Sequence, residues 1–287
     1  MAKNENSYTL GLMIMTAAAL AWSLTGWFTR ILALDTATVL FWRSLFGAAG
    51  TLAVLALVPA SGGIASIKQL GRGGLAYSLL TAISMFFFVG ALHHTSVAHV
   101  AVITALVPLA AALAGWMFLR EKPTFSALTA SIIALAGVAI MVGFSGGGTL
   151  FGDGLALIMT CCMAGMILIA RRHPAIPALA ATLVAALICC AATLPFAELI
   201  HLSPTKFAGL AAFGIVNQVI GFGLFAIGAR LLPPTETALL TTLEAPLAPL
   251  WVWLAFGEAP GTATIIGGAA VLIAVTGNIL VSTKSPS

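Results

Sequence analysis

Polar and apolar positions alternate along this chain on a scale of about 20 residues rather than within single helical turns. Ten apolar windows run approximately 8–29, 37–58, 71–92, 96–119, 124–143, 151–170, 177–197, 207–229, 235–256 and 261–282, separated by short polar joints. About 20 apolar residues are what an α-helix needs to cross a hydrocarbon core, so the pattern predicts an all-α integral membrane protein of ten transmembrane helices. The joints are too short to house an extramembrane domain. The first window follows a short MAKNENS start and is longer than a signal-peptide core, without a small-residue cleavage site, so it is expected to be retained.

The chain also repeats itself. PLAAALAGWMFLREKP begins at Pro108 and PLAPLWVWLAFGEAP at Pro246, 138 residues later and close to half of the 287-residue length. A repeat on that scale predicts two comparable halves, 1–146 and 147–287, each of five helices. With the N-terminus in the cytoplasm, nine basic residues fall inside: Lys3, Lys68, Arg72, Arg120, Lys122, Arg171, Arg172, Arg230 and Lys284. Only Arg30 and Lys206 fall outside, and Arg43 lies within a window. This asymmetry predicts cytoplasmic termini and outward-facing joints at 93–96 and 143–151. Five is odd, so the copy ending at Glu121 leaves on the cytoplasmic side and the copy ending at Glu258 outside. The halves are therefore expected to be inverted, the plan that lets two repeats exchange shapes and expose one central site to alternate sides.

Composition agrees: 61% of residues are hydrophobic and 7% charged, against roughly 25% charged in soluble domains. The net charge of +4 arises from basic residues spread over the joints, so it reflects topology and predicts no nucleic-acid partner. Cys161–Cys162 and Cys189–Cys190 are adjacent pairs inside windows, a spacing that suits packing rather than redox or metal chemistry. No G-x-x-x-x-G-K-[ST] phosphate loop is present, so no nucleotide motor is encoded in the chain.

Trp22 in ALAWSLTGWFTR, Arg43 in FWRSLFGA and the two proline-led copies together resemble the drug/metabolite transporter superfamily, in particular its ten-helix exporters built from two EamA-type halves. The resemblance covers essentially the whole chain. It implies a secondary transporter of a bacterial inner membrane, not an enzyme, exporting small metabolites; the texture is most like the amino-acid exporters, including the aromatic amino-acid type. The second half departs from the pattern, because ATLVAALICCAATL offers no counterpart to Arg43.

Glu244 and Arg43 are the charged residues well inside windows, and such groups are costly in lipid and mark candidate sites. Glu244 lies nine residues beyond Thr235, close to the bilayer middle, with Thr237 and Thr241 on its face at helical spacing. It is a candidate amine contact or proton carrier, giving possible proton coupling; Arg43 suits a carboxylate or braces helices. Asn217 and Gln218 sit beside a seam of Gly214, Gly221 and Gly228, placed to bridge helices or line a cavity. Trp22, Tyr77, Ser84 and Met85 add apolar and polar lining, which favours neutral or aromatic amino acids with broad selectivity. Pro108, Pro246 and Pro249 are candidate hinges that release the carbonyls of Thr104, Thr242 and Ala245. The cavity is expected between spans one, three, four, six, eight and nine.

His93, His94 and His99 cluster near one membrane face but lack a convergent fourth ligand, so no metal and no cofactor are expected. GFSGG at 143–147 matches G-x-S-x-G without the strand-to-helix elbow that motif requires, leaving an intramembrane hydrolase using Ser145 as the different-class reading. Within the transporter class the alternative is a nucleotide-sugar or organic-anion carrier, which would need more basic cavity residues than Arg43.

Overall fold

The computed structural model describes residues 5–57, 63–95, 97–143, 149–199, 202–257 and 259–284. These form α1 (Glu5–Ser23), α2 (Thr25–Leu32), α3 (Thr36–Leu57), α4 (Gly71–His94), α5 (Val97–Thr104), α6 (Val107–Ala114) and α7 (Phe125–Val142). After the predicted midpoint come α8 (Leu150–Arg172), α9 (Ala178–Thr193), α10 (Pro204–Phe213), α11 (Gly223–Gly228), α12 (Pro234–Thr241), α13 (Glu244–Phe256) and α14 (Thr262–Lys284). No strand occurs among the described residues. Every long element is a helix because backbone N–H and C=O groups in hydrocarbon must be paired within the segment.

Among the described residues nine helical stretches are long and apolar enough to cross a membrane, and they occupy nine of the ten predicted windows. The third window holds α4, 24 residues long, which is not one of the nine. Phe125 is 82% exposed, Ile273 70% and Leu254 67%, side chains that only lipid satisfies in such numbers.

Four of the windows are interrupted, two of them, spans four and nine, next to the prolines expected to act as hinges. Span one breaks at Leu24, between α1 and α2. Span four breaks at Ala105–Leu106, between α5 and α6, and span nine at Thr242–Leu243, between α12 and α13. In both of the last two, a proline follows that cannot donate the amide a continuous helix needs. Span eight runs from α10 through a π-helical stretch, Gly214–Phe222, into α11. A second π-helical turn, Gly115–Leu119, ends span four. Pro246 removes the donor that would have paired with the Thr242 carbonyl, but that carbonyl is not left free as expected: the Ala245 amide takes it at 3.1 Å.

Packing repeats when the halves are exchanged. Spans two and seven (α3 on α9), four and nine (α6 on α12) and five and ten (α7 on α14) each face their own counterpart, while α4 on α8 in spans three and six is matched by α11 on α1 in spans eight and one. Spans five and ten touch backbone to backbone: a Cβ on Gly267 would fall inside contact distance of the Gly137 carbonyl oxygen, so this close approach requires glycine. The main core is built from alanines and Met15, Ile167, Phe225 and Leu239, of spans one, six, eight and nine, with Leu232 from the joint between the last two.

Candidate functional site

Three interrupted spans, one, eight and nine, meet around the candidate residues. Straight helices would satisfy every backbone group internally; a break presents polar backbone and helix ends to whatever lies beside it. In span nine the break hands its first helical position to Glu244. Glu244 is half-buried and, among the described residues, takes part in no ion pair and no side-chain hydrogen bond. Ala248 and Val252, one and two turns further along the same face, line an open cavity of about 350 Å³ together with Gly26, Pro249, Pro260 and Thr264.

Arg43 stands on α3 and is 7% exposed. Its NH1 donates to Asn217 Oδ1 at 2.8 Å and its NH2 to the Met85 thioether at 3.3 Å, with the Phe213 ring 5.7 Å from the guanidinium carbon. Asn217 Nδ2 in turn donates to Thr25 Oγ1 at 2.9 Å, and Trp22 Nε1 donates to the Asn217 carbonyl at 3.3 Å. The π-helical stretch makes this possible by widening the turn that carries Asn217, a distortion associated with functional positions. Two close approaches hold it in place. A Cβ on Gly214 would meet the Arg43 carbonyl oxygen at 2.7 Å, and one on Gly221 the Trp22 indole at 2.5 Å. The glycine seam is thus a contact surface for spans two and one.

The break at Leu24 joins these two regions. Thr25 accepts from Asn217 on one side of it, and on the other Ser23 Oγ accepts from Trp251 Nε1 at 2.7 Å. Trp251 lies two turns beyond Glu244 on α13. The α1–α2 joint is therefore bonded both to the Arg43 network and to the helix that Glu244 starts.

The remaining expected residues are placed as follows. Trp22 is buried with its ring 4.9 Å from Phe222 and 5.1 Å from Phe225, in core packing rather than at a cavity wall. Gln218 bridges to span seven, donating to the Thr182 carbonyl at 3.2 Å. Ser84 is buried beside Met85. Thr104 and Thr241 spend their hydroxyls on local carbonyls, of Val100 and Ala238, at 2.7 Å each. Tyr77 is not brought to this group; it faces Arg230 across a cavity of about 10 Å³ near the end of the bundle that carries the basic joints. Pro108 lies in the first turn of α6 and Pro249 inside α13.

That basic end is held together by contacts that nothing in the residue pattern singled out. Arg171 pairs with Glu121 at 3.3 Å and donates to the Arg230 carbonyl at 2.9 Å; Arg230 donates to the carbonyls of Pro174 and Ile176. Burial pushes the Arg230 pKa down from its ordinary value. Tyr8 and Ser282 both donate to the buried Glu236 carboxylate, at 2.7 and 3.2 Å, joining the first and last spans to the ninth. A carboxylate just inside a window was the available signal for Glu236; Ser23, Thr25 and Trp251 carried none.

At the opposite end His99 Nδ1 lies 3.1 Å from both Asp153 carboxylate oxygens, and Thr95 donates to Asp153 at 2.7 Å. His94 is exposed with its ring 5.0 Å from that of Phe151. No three His, Cys, Asp or Glu side chains converge on a metal position among the described residues. Ser145, the candidate nucleophile, and Glu258 lie outside them.

Against known proteins, the family model described as the EamA-like transporter family matches twice, over residues 9–143 and 150–280. The chain belongs to the EamA-like transporter family. EamA family members are transporters, and a chain of many apolar spans in this family is a multi-pass membrane protein. No curated protein matches. A solved structure described only as "Crystal structure of protein" is similar over 96% of this chain and 99% of its own, with a TM-score of 0.79 at 20% identity, a likeness that establishes the fold alone. Within that fold, the interrupted spans one, eight and nine are where Glu244 and the Asn217 partner of Arg43 stand.

Proposed function

We propose that this EamA transporter is a secondary exporter of amino acids, neutral and aromatic, with broad selectivity, working by alternating access. The two halves, 1–146 and 147–287, act as inverted five-helix repeats of a ten-span protein in a bacterial inner membrane, both termini cytoplasmic. The observation that carries this reading is Glu244: a carboxylate at the break of span nine, half-buried and unpaired among the described residues, on the face that continues into a cavity of about 350 Å³. A carboxylate at membrane depth costs roughly 2.5–3.5 kcal/mol, which an ammonium or a proton offsets when it arrives. Glu244 is then the contact for the substrate amine and the candidate group for proton coupling. Apolar lining from Ala248 and Val252 rewards burial of a side chain without discriminating closely among apolar shapes. Trp22, Ser84, Thr104, Gln218 and Thr241 support the break and its surroundings, and Pro108, Pro246 and Pro249 fix where the spans bend. The closed basic end, knotted by Arg171 and Arg230, fits one end member of an alternating cycle.

Purified protein in liposomes, offered a panel of labelled amino acids with and without a proton gradient, tests this. Saturable flux of several neutral and aromatic amino acids is expected. Flux of a nucleotide sugar or organic phosphate with none for any amino acid overturns it.

A further inference from the structure

Arg43 is a guanidinium buried inside the protein, with no counter-charge against it among the described residues. It is 7% exposed, no described carboxylate pairs with it, and its Nε has no hydrogen-bond partner. Guanidinium does not deprotonate readily, so the charge itself must be met. Its two terminal nitrogens, the pair that a carboxylate grips in bidentate fashion, are met instead by neutral acceptors, the Asn217 amide oxygen at 2.8 Å and the Met85 sulfur at 3.3 Å. A thioether is a weak acceptor. A helix brace would be complete with a carboxylate from a neighbouring span; here spans three and eight both meet the guanidinium and neither supplies one among the described residues.

We infer that Arg43 is the anion-binding group of the transport site, taking the carboxylate of the substrate in place of Met85, with Asn217 as the residue that positions it. The inference rests on the amino-acid reading above and deepens it: a carboxylate is the part of the substrate that Arg43 takes. Because Asn217 also donates to Thr25 beside the Leu24 break, a carboxylate that shifts Arg43 also pulls on the joint of span one.

The discriminating variant is Asn217→Asp, nearly isosteric, which gives Arg43 a permanent carboxylate partner. Propionate, a carboxylate without an amine, is titrated against detergent-purified wild type, Asn217→Asp, Arg43→Lys and Arg43→Gln, read by intrinsic tryptophan fluorescence. Saturable binding by wild type, weakened at least about tenfold in Asn217→Asp and lost in Arg43→Gln, is expected. Arg43→Lys should fall between, since a lysine keeps the charge but not the fork. A pure brace predicts instead that Asn217→Asp gives a folded protein whose propionate binding is no weaker than that of wild type. That result, or wild type showing no saturable binding, overturns the proposal. Liposome flux separates it from the reading it rests on: propionate binding that depends on Arg43 without flux of any amino acid leaves the anion subsite standing and removes the amino-acid reading.

Discussion

Spans four and nine are two copies of one sequence idea, and they differ where it matters. Both break two or three residues before a proline, at Ala105–Leu106 ahead of Pro108 and at Thr242–Leu243 ahead of Pro246. Both carry a threonine at the break whose hydroxyl turns back on its own helix, Thr104 to Val100 at 2.7 Å and Thr242 to Leu239 at 2.6 Å. Aligning the prolines sets Leu106 against Glu244, and both positions are half-buried. The break belongs to what the copies share and the charge to what they do not. Duplication supplied two equivalent interruptions near the same depth; a single divergent position put a carboxylate at one of them.

That contrast is sharpened first by removing the divergence. Glu244→Leu, which makes span nine resemble span four, should lower amino-acid flux at least about tenfold while the protein still purifies as a monodisperse species, because a charge-assisted contact is worth about 1.5–3 kcal/mol. Leu106→Ala, measured beside it, should change flux less than about threefold, since an apolar truncation there removes only a modest burial term. Equal effects at the two positions would erase the distinction.

The prolines come next. Pro246→Ala and Pro108→Ala each return an amide to the helix, and both should slow flux several-fold by favouring a continuous span. Pro246→Ala should be the more damaging, because the Ala245 amide already holds the Thr242 carbonyl in a tightened turn that a regular helix would replace. Turnover at saturating substrate is the quantity to compare. The smallest effects belong to the shared threonines: Thr104→Val and Thr242→Val should each cost about 1 kcal/mol or less of stability in a detergent melt, with matching values in the two halves.

How much of this was visible beforehand follows from the period of each signal. Apolar windows of about 20 residues and the proline-led repeat are long and redundant, so the all-helical membrane fold and the pairing of spans four and nine could be read directly. Glu244 and Arg43 stood out because charge is rare at that depth. The breaks were legible only where proline marks them. The interruption at Leu24 and the π-helical stretch Gly214–Phe222 have no proline, and arise from what packs against them: the Asn217 and Trp251 side chains reach the residues flanking Leu24, and the Gly214 and Gly221 contacts hold the widened turn. Tyr77 shows the converse. Its place in span three suggested cavity lining, yet its height along α4 sets it beside Arg230 at the basic end. Distance along a span was readable; which neighbour stands at that height was not.

The central claim is that substrate occupies the break of span nine and not its counterpart in span four, and thiol protection tests it most directly. In a background lacking the four native cysteines, Ala248→Cys lines the cavity one turn beyond Glu244, and Ala110→Cys occupies the equivalent place two residues after Pro108. Both are exposed to a water-soluble maleimide with and without saturating leucine or phenylalanine. The account predicts that Ala248→Cys labels and that either amino acid slows its labelling several-fold, while Ala110→Cys is unaffected. Labelling at Ala248→Cys that is indifferent to both amino acids, or protection that is equal at the two positions, would contradict it.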